Sequence, residues 1–461
     1  MTKQALCLKR NIVRKHELQT ACRLTFKGCK VETPKHPAQK NIILNLSLFQ
    51  FLSFVRRGIF YTFMINYLFS LMQTATSTAL LGTLNMVASA LGQNLLWGKI
   101  ADRYRLRAKL IIAGESIAAA TYLIVFLIHK SLIDKQANFA AGLSLIFGLS
   151  FLEFFWSMSD VGWAALLTDV TTTKTRGRIV GTLNFIASLG RMIGINIAGF
   201  LYNDGEGFRQ GTIFYIVITM LVASATIMWI TSLYEKETNA KTERAHIQNS
   251  LKKNDVSSKN REIYKWFLTS LIIIVVGTAC INQIFLIFLE RPEGLHISAP
   301  EMSCILTAWT LGGMLTSLLS GWLADRIGRA TVLITGLILA TITPLFYGSA
   351  SNVLTMALIY GLNGVAFWTL QTIGFAFAGD IIPEDQRGRL FSKYNTVMAL
   401  SWGPAGFLVG GPLADLQINN FGLTPSMAFV NTFYVSAILV ALGTILFALK
   451  VARKKQKPLK S

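Results

Sequence analysis

The sequence predicts an all-α membrane protein of twelve transmembrane helices, arranged as two pseudo-symmetric six-helix bundles. Three observations predict this. Hydrophobic residues make up 52% of the 461 residues and charged ones 15%, with a mean hydropathy of +0.48, whereas soluble domains carry about 25% charged residues. Apolar runs of about twenty residues recur along the whole chain, the length at which a helix crosses the hydrocarbon core. Only a helix or a closed barrel satisfies its own backbone in lipid, and the two-residue alternation of barrel strands is missing. Finally, two short motifs each occur twice, at corresponding places in the two halves.

The elements follow in order. The first span, 45–70, carries Arg56 and Arg57 inside its apolar run, and the second, 74–97, ends on Gly98-Lys-Ile-Ala-Asp102-Arg103. Span 108–130 contains Glu115, which its position places near an interface. Span 140–167 contains Glu153 and Asp160 and runs to Asp169. Span 178–202 follows Arg176-Gly177-Arg178 and carries Arg191 with Gly181, Gly190, Gly194 and Gly199. Span 210–233 closes the first bundle, 45–233. Residues 234–263 are polar and rich in charge, too short for a folded domain, and read as a linker. The second bundle, 264–450, repeats the plan with spans 264–289, 301–322, 330–349, 352–379, 390–415 and 427–450. Within 390–415, Gly403-Pro404-Ala405-Gly406 predicts a kink. Residues 1–44 and 451–461 are basic tails. The first lacks the apolar stretch of a cleavable signal peptide.

An even number of spans puts both termini on one side, and basic residues indicate which. Of the 44 Lys and Arg, 37 fall in segments on the terminus side; only Lys130, Lys135, Arg209 and Arg291 fall in opposite loops. The positive-inside rule makes both termini cytoplasmic, in a multi-pass protein of the plasma membrane. The same asymmetry accounts for the net charge of +21, so the basic composition implies contact with anionic lipid headgroups rather than nucleic acid. Of five cysteines, Cys7, Cys22 and Cys29 lie in the first tail, while Cys280 and Cys304 lie in or beside apolar helices. Their spacing fits neither a disulfide framework nor a metal site, so neither metal nor cofactor is expected.

Gly321-Trp-Leu-Ala-Asp325-Arg326 repeats the first loop motif 223 residues later, and Asp380 with Arg387-Gly388-Arg389 repeats Asp169 with Arg176-Gly177-Arg178 at an offset of 211. Two motifs recurring independently point to duplication. The fuller second copy, Gly321-Trp-Leu-Ala-Asp325-Arg326-Ile-Gly328-Arg329, resembles the loop signature of the major facilitator superfamily. The first copy keeps Gly98, Asp102 and Arg103 but has Arg105 where the second glycine is expected. The resemblance covers about residues 45–450. It implies a secondary transporter that moves a small solute by alternating access, works as a monomer and is not an enzyme. It also implies latches at the cytoplasmic ends of the helices, formed by Asp102, Arg103 and Asp169 in one half and Asp325, Arg326 and Asp380 in the other. The competing reading is that these residues only set topology and loop folding.

Ionisable side chains at mid-membrane are costly and mark functional sites by default. The first half holds Arg56, Arg57, Glu153, Asp160 and Arg191. Counting the helical rise of 1.5 Å per residue, Arg57, Glu153 and Arg191 fall at about one depth, and a buried Arg–Glu contact between spans 1 and 4 is expected. The corresponding positions of the second half are uncharged, and it offers Asn363, Trp368 and Gln371 to a solute. Three roles are open: a carboxylate that takes up a proton as its ion pair separates, a surplus guanidinium that receives an anion, or a static network holding helices together. His129, His246 and His296 fall in loops or at helix ends, which argues against a histidine relay.

The glycines of span 5 resemble an antiporter motif, with Ile195 and Ala198 where that motif has Pro and Gly, and ordinary close packing explains the same spacing. No Walker loop, nucleophile motif or metal cluster appears, so the energy source is a gradient. Proton-linked efflux of small amphipathic compounds is favoured, with proton-linked uptake of an organic anion or nutrient as the alternative. A non-transporting sensor on the same fold is a more distant reading.

Overall fold

Apolar residues on every side of a helix let it face lipid with one surface and its neighbours with another, and the helices of this chain divide their surfaces in that way. The computed structural model describes residues 37–104, 106–171, 176–239, 258–382 and 387–453. Twelve helical runs cross it: α1 (Asn41–Met72), α2 (Ala75–Leu91, continuing through Gly92–Trp97 into Gly98–Tyr104), α3 (Arg107–Asp134), α4 (Asn138–Val170), α5 (Arg176–Tyr202), α6 (Thr212–Asn239), α7 (Glu262–Glu290), α8 (Ala299–Ile327), α9 (Arg329–Ser349), α10 (Val353–Ile381), α11 (Lys393–Asn419) and α12 (Pro425–Ala452). Among the described residues, ten helices are long and apolar enough to cross a membrane on their own. The two arms of α8, bent by 46° between Thr316 and Leu319, make an eleventh. The twelfth is α2, in which a 17-residue α-helix runs into a wide π turn at Gly92–Trp97. Its full run from Ala75 to Tyr104 is about 45 Å long at 1.5 Å per residue, enough to span. The linker residues 240–257, the tail residues 1–36 and 454–461, and the side chains of Asp102, Asp169, Arg176, Gly177, Arg178, Arg387, Gly388 and Arg389 lie outside the described residues.

The halves repeat in their irregularities as well as their motifs. α1 breaks after Tyr61 and resumes as the nine-residue Met64–Met72, and α7 breaks after Ala279 and resumes as the nine-residue Asn282–Glu290. The predicted kink in α11 is present: helix ends at Trp402 and re-forms as a wide turn at Gly406–Gly410 before Gly411–Asn419. On the face away from the termini, Asn352 and Thr424 accept from Thr355 N and Met427 N to start α10 and α12, and a Ser298–Glu301 capping box starts α8.

Contacts between the halves lie from that far face to about mid-height. Asn66 Nδ2 donates to Glu290 Oε2 at 2.7 Å and to Leu286 O at 2.9 Å, and Tyr202 OH donates to Glu290 Oε1 at 2.9 Å. The backbone amides of Ala75 and Thr76, at the start of α2, donate to the Asp415 carboxylate at 3.1 and 2.8 Å. Asn196 Nδ2 donates to Thr307 Oγ1 at 2.9 Å, and Ser303 Oγ to Ile195 O at 3.0 Å. Toward the opposite face, an added Cβ on Gly181 or Gly321 would meet nothing within 4 Å, and Leu95, Phe185, Leu319 and Trp322 are exposed. The described halves are therefore joined at the far face and part toward the face where α1 begins and α12 ends.

The α5 glycines are packing positions. A Cβ on Gly190 or Gly194 would strike the backbone of α1 at Phe51 or Val55, and Gly58 opposes Gly194. Gly199 meets α8 at Ser303 and Ala299, and Gly181 meets nothing. Close helix approach accounts for three of the four.

Candidate functional site

Two arginines adjacent in sequence point to different faces of α1, because successive residues are about 100° apart on a helix. Arg56 turns inward toward α3: Arg56 and Glu115 are each 1% exposed and lie 3.6 Å apart. Trp156 Nε1 and Ser159 Oγ both donate to Glu115 Oε1, at 2.7 and 2.9 Å. The Arg56 guanidinium lies 4.1 Å from the Trp156 ring centroid and that of Arg57 lies 4.5 Å from it. One indole therefore faces two cations while its N–H serves a carboxylate, a desolvated arrangement in which cation–π contacts reach about 2 kcal/mol.

Arg57 pairs with Asp160 at 3.3 Å, with exposures of 36% and 45%. The expected partner was Glu153, so this is a correction, and side-chain direction explains it. Helical side chains lean toward the N-terminus of their own helix. α1 and α4 are antiparallel, so Arg57 leans toward the terminus face and meets Asp160, two turns nearer that face than Glu153. Glu115 is a second correction. It is not an interfacial residue but the buried partner of Arg56, about 12 Å into α3 at 1.5 Å per residue. Its signal in the sequence was an acid next to Gly114, where α3 comes within close reach of α4 at Ser159.

Adding Glu115 changes the charge balance. Arg56 and Arg57 now face Glu115, Glu153 and Asp160, so the cluster holds one carboxylate more than its guanidinium groups. Glu153 is that carboxylate; it is half-buried and close to Ser89 of α2. Below the cluster, a cavity of about 190 Å³ lies between α1 and α4, bounded by Phe49, Phe54, Trp156 and Trp163 with Gln50 and Ser53, and reached by Arg57 and Asp160.

The second half presents a neutral wall. Trp309 Nε1 donates to Asn363 Oδ1 at 3.3 Å, and Asn363 Nδ2 donates to Thr343 Oγ1 at 3.0 Å. Around Trp309 stand Tyr360 and Trp368, with centroids at 6.3 and 6.1 Å, and Gly313 leaves the room that the Trp368 ring fills. Gln371 is half-buried about one turn further along α10. Arg191 faces this wall from α5, its guanidinium 5.6 Å from the Trp309 centroid. Such a contact at an accessible site contributes about 0.5–1 kcal/mol. An arginine at the centre of a membrane helix costs about 2.5–3.5 kcal/mol, so the ring alone does not offset it.

At the terminus face, the expected pairing of Asp380 is modified. Arg329 supplies the guanidinium that meets Asp380 Oδ1 at 2.5 Å and also donates to Ala376 O at 3.0 Å, while Arg326 lies over the Trp322 ring at 4.0 Å. Gly328, at φ +89°, turns the chain so that Arg329 opens α9, and α9 packs along α10 through Gly336 and Thr369. The pair joins two helices of one half and is intact while the halves are parted on this face. In the first loop, Arg103 lies over the Tyr104 ring at 5.5 Å. His129, expected at a helix end, is fully buried in α3 and hydrogen-bonded to Tyr67 OH at 2.8 Å. The residues that join the halves at the far face, Asn66, Tyr202, Glu290 and Asp415, carried no motif and were missed.

Comparison with known proteins bears on this arrangement. The model of the Major Facilitator Superfamily matches residues 46–291 and 292–461. Multidrug resistance protein 2 of Bacillus subtilis is 26% identical over 333 residues, covering 70% of this chain and 76% of that protein; multidrug resistance protein 1 of the same organism is 24% identical over 308 residues, covering 65% and 70%. A galactose-proton symporter of Escherichia coli is 25% identical over 151 residues, 33% of this chain and 31% of that protein. Among solved structures, a bacterial homolog of the human lysosomal transporter Spinster, inward-facing and occupied, superposes with a TM-score of 0.67 at 15% identity, covering 92% of this chain and all of that one. An inward-facing bacterial homologue of the iron transporter ferroportin gives 0.66 at 13% identity, covering 90% and 99%. At these identities the structures establish a shared fold.

Proposed function

The chain belongs to the Major Facilitator Superfamily of transporters, and on that premise we propose that it exports small amphipathic compounds in exchange for protons. The observation that carries the reading is the surplus carboxylate: Arg56 and Arg57 against Glu115, Glu153 and Asp160. A carboxylate in excess of its cations inside a membrane is stabilised by taking up a proton. Arg57 and Asp160 border the open cavity, so a solute entering there meets the pair directly. A solute seated on the Arg57–Asp160 pair covers the carboxylates and excludes the proton; when the solute leaves, the surplus carboxylate is free to take the proton up again. Proton and solute thereby compete for one cluster, which is what exchange requires. The likeness to two multidrug resistance proteins along about two thirds of the chain supports export.

In this reading the terminus face, with its basic loops, is cytoplasmic in the plasma membrane, the protein acts as a monomer, and the described arrangement is open to the cytoplasm. The latch residues Gly98, Asp102, Arg103, Asp169, Arg176, Gly177 and Arg178, with Gly321, Asp325, Arg326, Gly328, Arg329, Asp380, Arg387, Gly388 and Arg389, shape the helix ends that approach one another when that face closes. A second reading, proton-linked uptake of an organic anion, is favoured by Arg191, which faces an aromatic ring rather than a carboxylate. Flux of a fluorescent amphipathic dye into inside-out proteoliposomes under an imposed pH gradient tests the proposal. Wild type concentrates the dye when the interior is acid, and Glu153→Gln and Asp160→Asn lose that dependence. Gradient-driven flux surviving both substitutions refutes the coupling.

A further inference from the structure

Of the three mid-membrane guanidinium groups, two have a carboxylate partner: Arg56 has Glu115 and Arg57 has Asp160. Among the described residues, Arg191 stands in no ion pair. The Trp309 ring lies in front of it, 5.6 Å from guanidinium to centroid. It is nevertheless accessible to water in the middle of a helix.

Its height in the molecule adds a second, independent observation. Five residues further along α5, about 7.5 Å away at the helical rise, Asn196 donates to Thr307 of α8. Thr307 is two residues from Trp309. Asn196–Thr307 and Ser303–Ile195 close the space between α5 and α8 above this point, whereas the halves part below it. Arg191 and Trp309 therefore stand at the apex of the gap between the parted halves, just below the α5–α8 closure, where a solute entering from the terminus face must stop. The surfaces around that apex are an aromatic wall of Trp309, Tyr360 and Trp368 and the Asn363 amide, which Trp309 and Thr343 hold in place.

We propose that Arg191 receives the anionic group of the cargo, and that the cargo is an amphipathic organic anion whose apolar body lies against the Trp309–Tyr360–Trp368 wall. A guanidinium presents a planar fork that binds carboxylate, sulfonate or phosphate oxygens in pairs. An amphipathic anion supplies both the missing negative charge and a surface for the aromatic rings. The inference rests on the reading that the cargo passes between the halves of a transporter. It does not depend on proton coupling, and it narrows the exported compounds to those with an acidic group. Charged heads of this kind occur on soluble organic acids and on anionic lipids alike.

The test is equilibrium binding to purified full-length protein in phosphatidylcholine nanodiscs, without a gradient, using two probes that differ only in charge: anilinonaphthalene sulfonate and phenylnaphthylamine. Empty nanodiscs give the background. For Arg191→Gln the sulfonate should lose at least about tenfold in affinity, equivalent to about 1.4 kcal/mol, while the neutral probe changes by less than about twofold on the same scale. Arg191→Lys, which keeps the charge without the fork, should fall between. Unchanged neutral-probe binding certifies that the variant is folded. An equal loss for both probes, an unchanged sulfonate affinity, or a wild type that binds the sulfonate no more tightly than the neutral probe overturns the proposal. Nanodiscs containing phosphatidylglycerol separate the sources. Competition with the sulfonate in wild type and not in Arg191→Gln supports an anionic lipid, and no competition supports a soluble organic acid. Because coupling is read from gradient-driven dye flux and this proposal from binding without a gradient, failure of the coupling proposal and failure of this one are distinguishable.

Discussion

Glu290 holds the two halves together at the far face through two donors, and removing them one at a time shifts the balance between closed and open. The perturbation is Tyr202→Phe, which deletes the hydroxyl that donates to Glu290 at 2.9 Å but keeps the ring stacked on Phe63 at 4.8 Å. Hydrogen bonds to charged groups contribute about 1.5–3 kcal/mol each. When the halves part, water replaces the lost partner, so the lower end applies. A loss of about 1.5 kcal/mol changes the ratio of closed to open forms roughly tenfold, enough to raise a one-per-cent open population to about a tenth. Glu290→Gln weakens the acceptor for both Asn66 and Tyr202 and should shift the ratio further. The assay is the distance distribution between spin labels at Lys135 and Asn420, both exposed in far-face turns, α3–α4 and α11–α12, in an otherwise cysteine-free background. The wide component should grow in Tyr202→Phe and grow more in Glu290→Gln. Adding Tyr202→Phe to Glu290→Gln should have little further effect, because both act through one carboxylate. Three unchanged distributions, or effects that add in full, would refute the assignment of Glu290 as the shared closure.

Other outcomes follow from the same geometry. Glu115→Gln leaves Arg56 buried without its counter-charge, which costs about 3–5 kcal/mol. The thermal midpoint of the purified protein should therefore fall clearly, and Arg56→Met combined with Glu115→Gln should recover more than half of the loss. Trp156→Phe removes the N–H that serves Glu115 and a better cation–π face, so it should cost about 1–3 kcal/mol in the same measurement. Gly194→Val places a side chain against the Val55 carbonyl and Gly58 of α1. It should lower the yield of folded protein, whereas Gly181→Val, with open space around it, should be tolerated.

Much of this architecture was legible in the sequence, and what was not has physical causes. The twelve spans were legible because lipid demands about twenty apolar residues per crossing, and the observed runs begin and end within five residues of the predicted ones, except that α2 and α6 run seven and six residues past their predicted ends. The Gly403-Pro404 kink was legible because proline removes a helical hydrogen bond. The neutral mid-membrane wall of the second half, with Asn363 and Trp368, was legible from the internal repeat. The pairing of charges was not. Depth counted along a helix put Arg57 opposite Glu153, but side chains lean along their own helix, and in an antiparallel pair that lean selects Asp160. Glu115 was discounted because depth says nothing about which way a helix face points. The far-face closure was invisible for a different reason. Asn66, Tyr202 and Glu290 are far apart in sequence, carry no repeat and sit at span ends, where polar residues are common.

The three levels of charge differ in what they can do during alternating access. Arg56–Glu115 lies wholly within the first half and is sealed; separating it would strand a charge in low dielectric at a cost of about 3–5 kcal/mol. It therefore travels as part of a rigid body. Arg329–Asp380 lies wholly within the second half and behaves likewise, which explains why it persists while the terminus face is open. Among the described residues, the polar contacts that cross between halves are those of Glu290 with Asn66 and Tyr202 and of Asp415 with the start of α2 at the far face, joined deeper in by Asn196 with Thr307, Ser303 with Ile195 and Thr83 with Gly403. Those groups become wet when the far face opens, so their loss costs only the net worth of hydrogen bonds, about 0.5–3 kcal/mol each. The cost of opening is thus set low at the interface and high inside each bundle. Under the proposed exchange, a difference of a few kcal/mol is within the reach of one proton at Glu153 and one solute between the halves. On the proposed reading, rigid halves joined by breakable polar contacts let a small change in charge at mid-membrane decide which face is open.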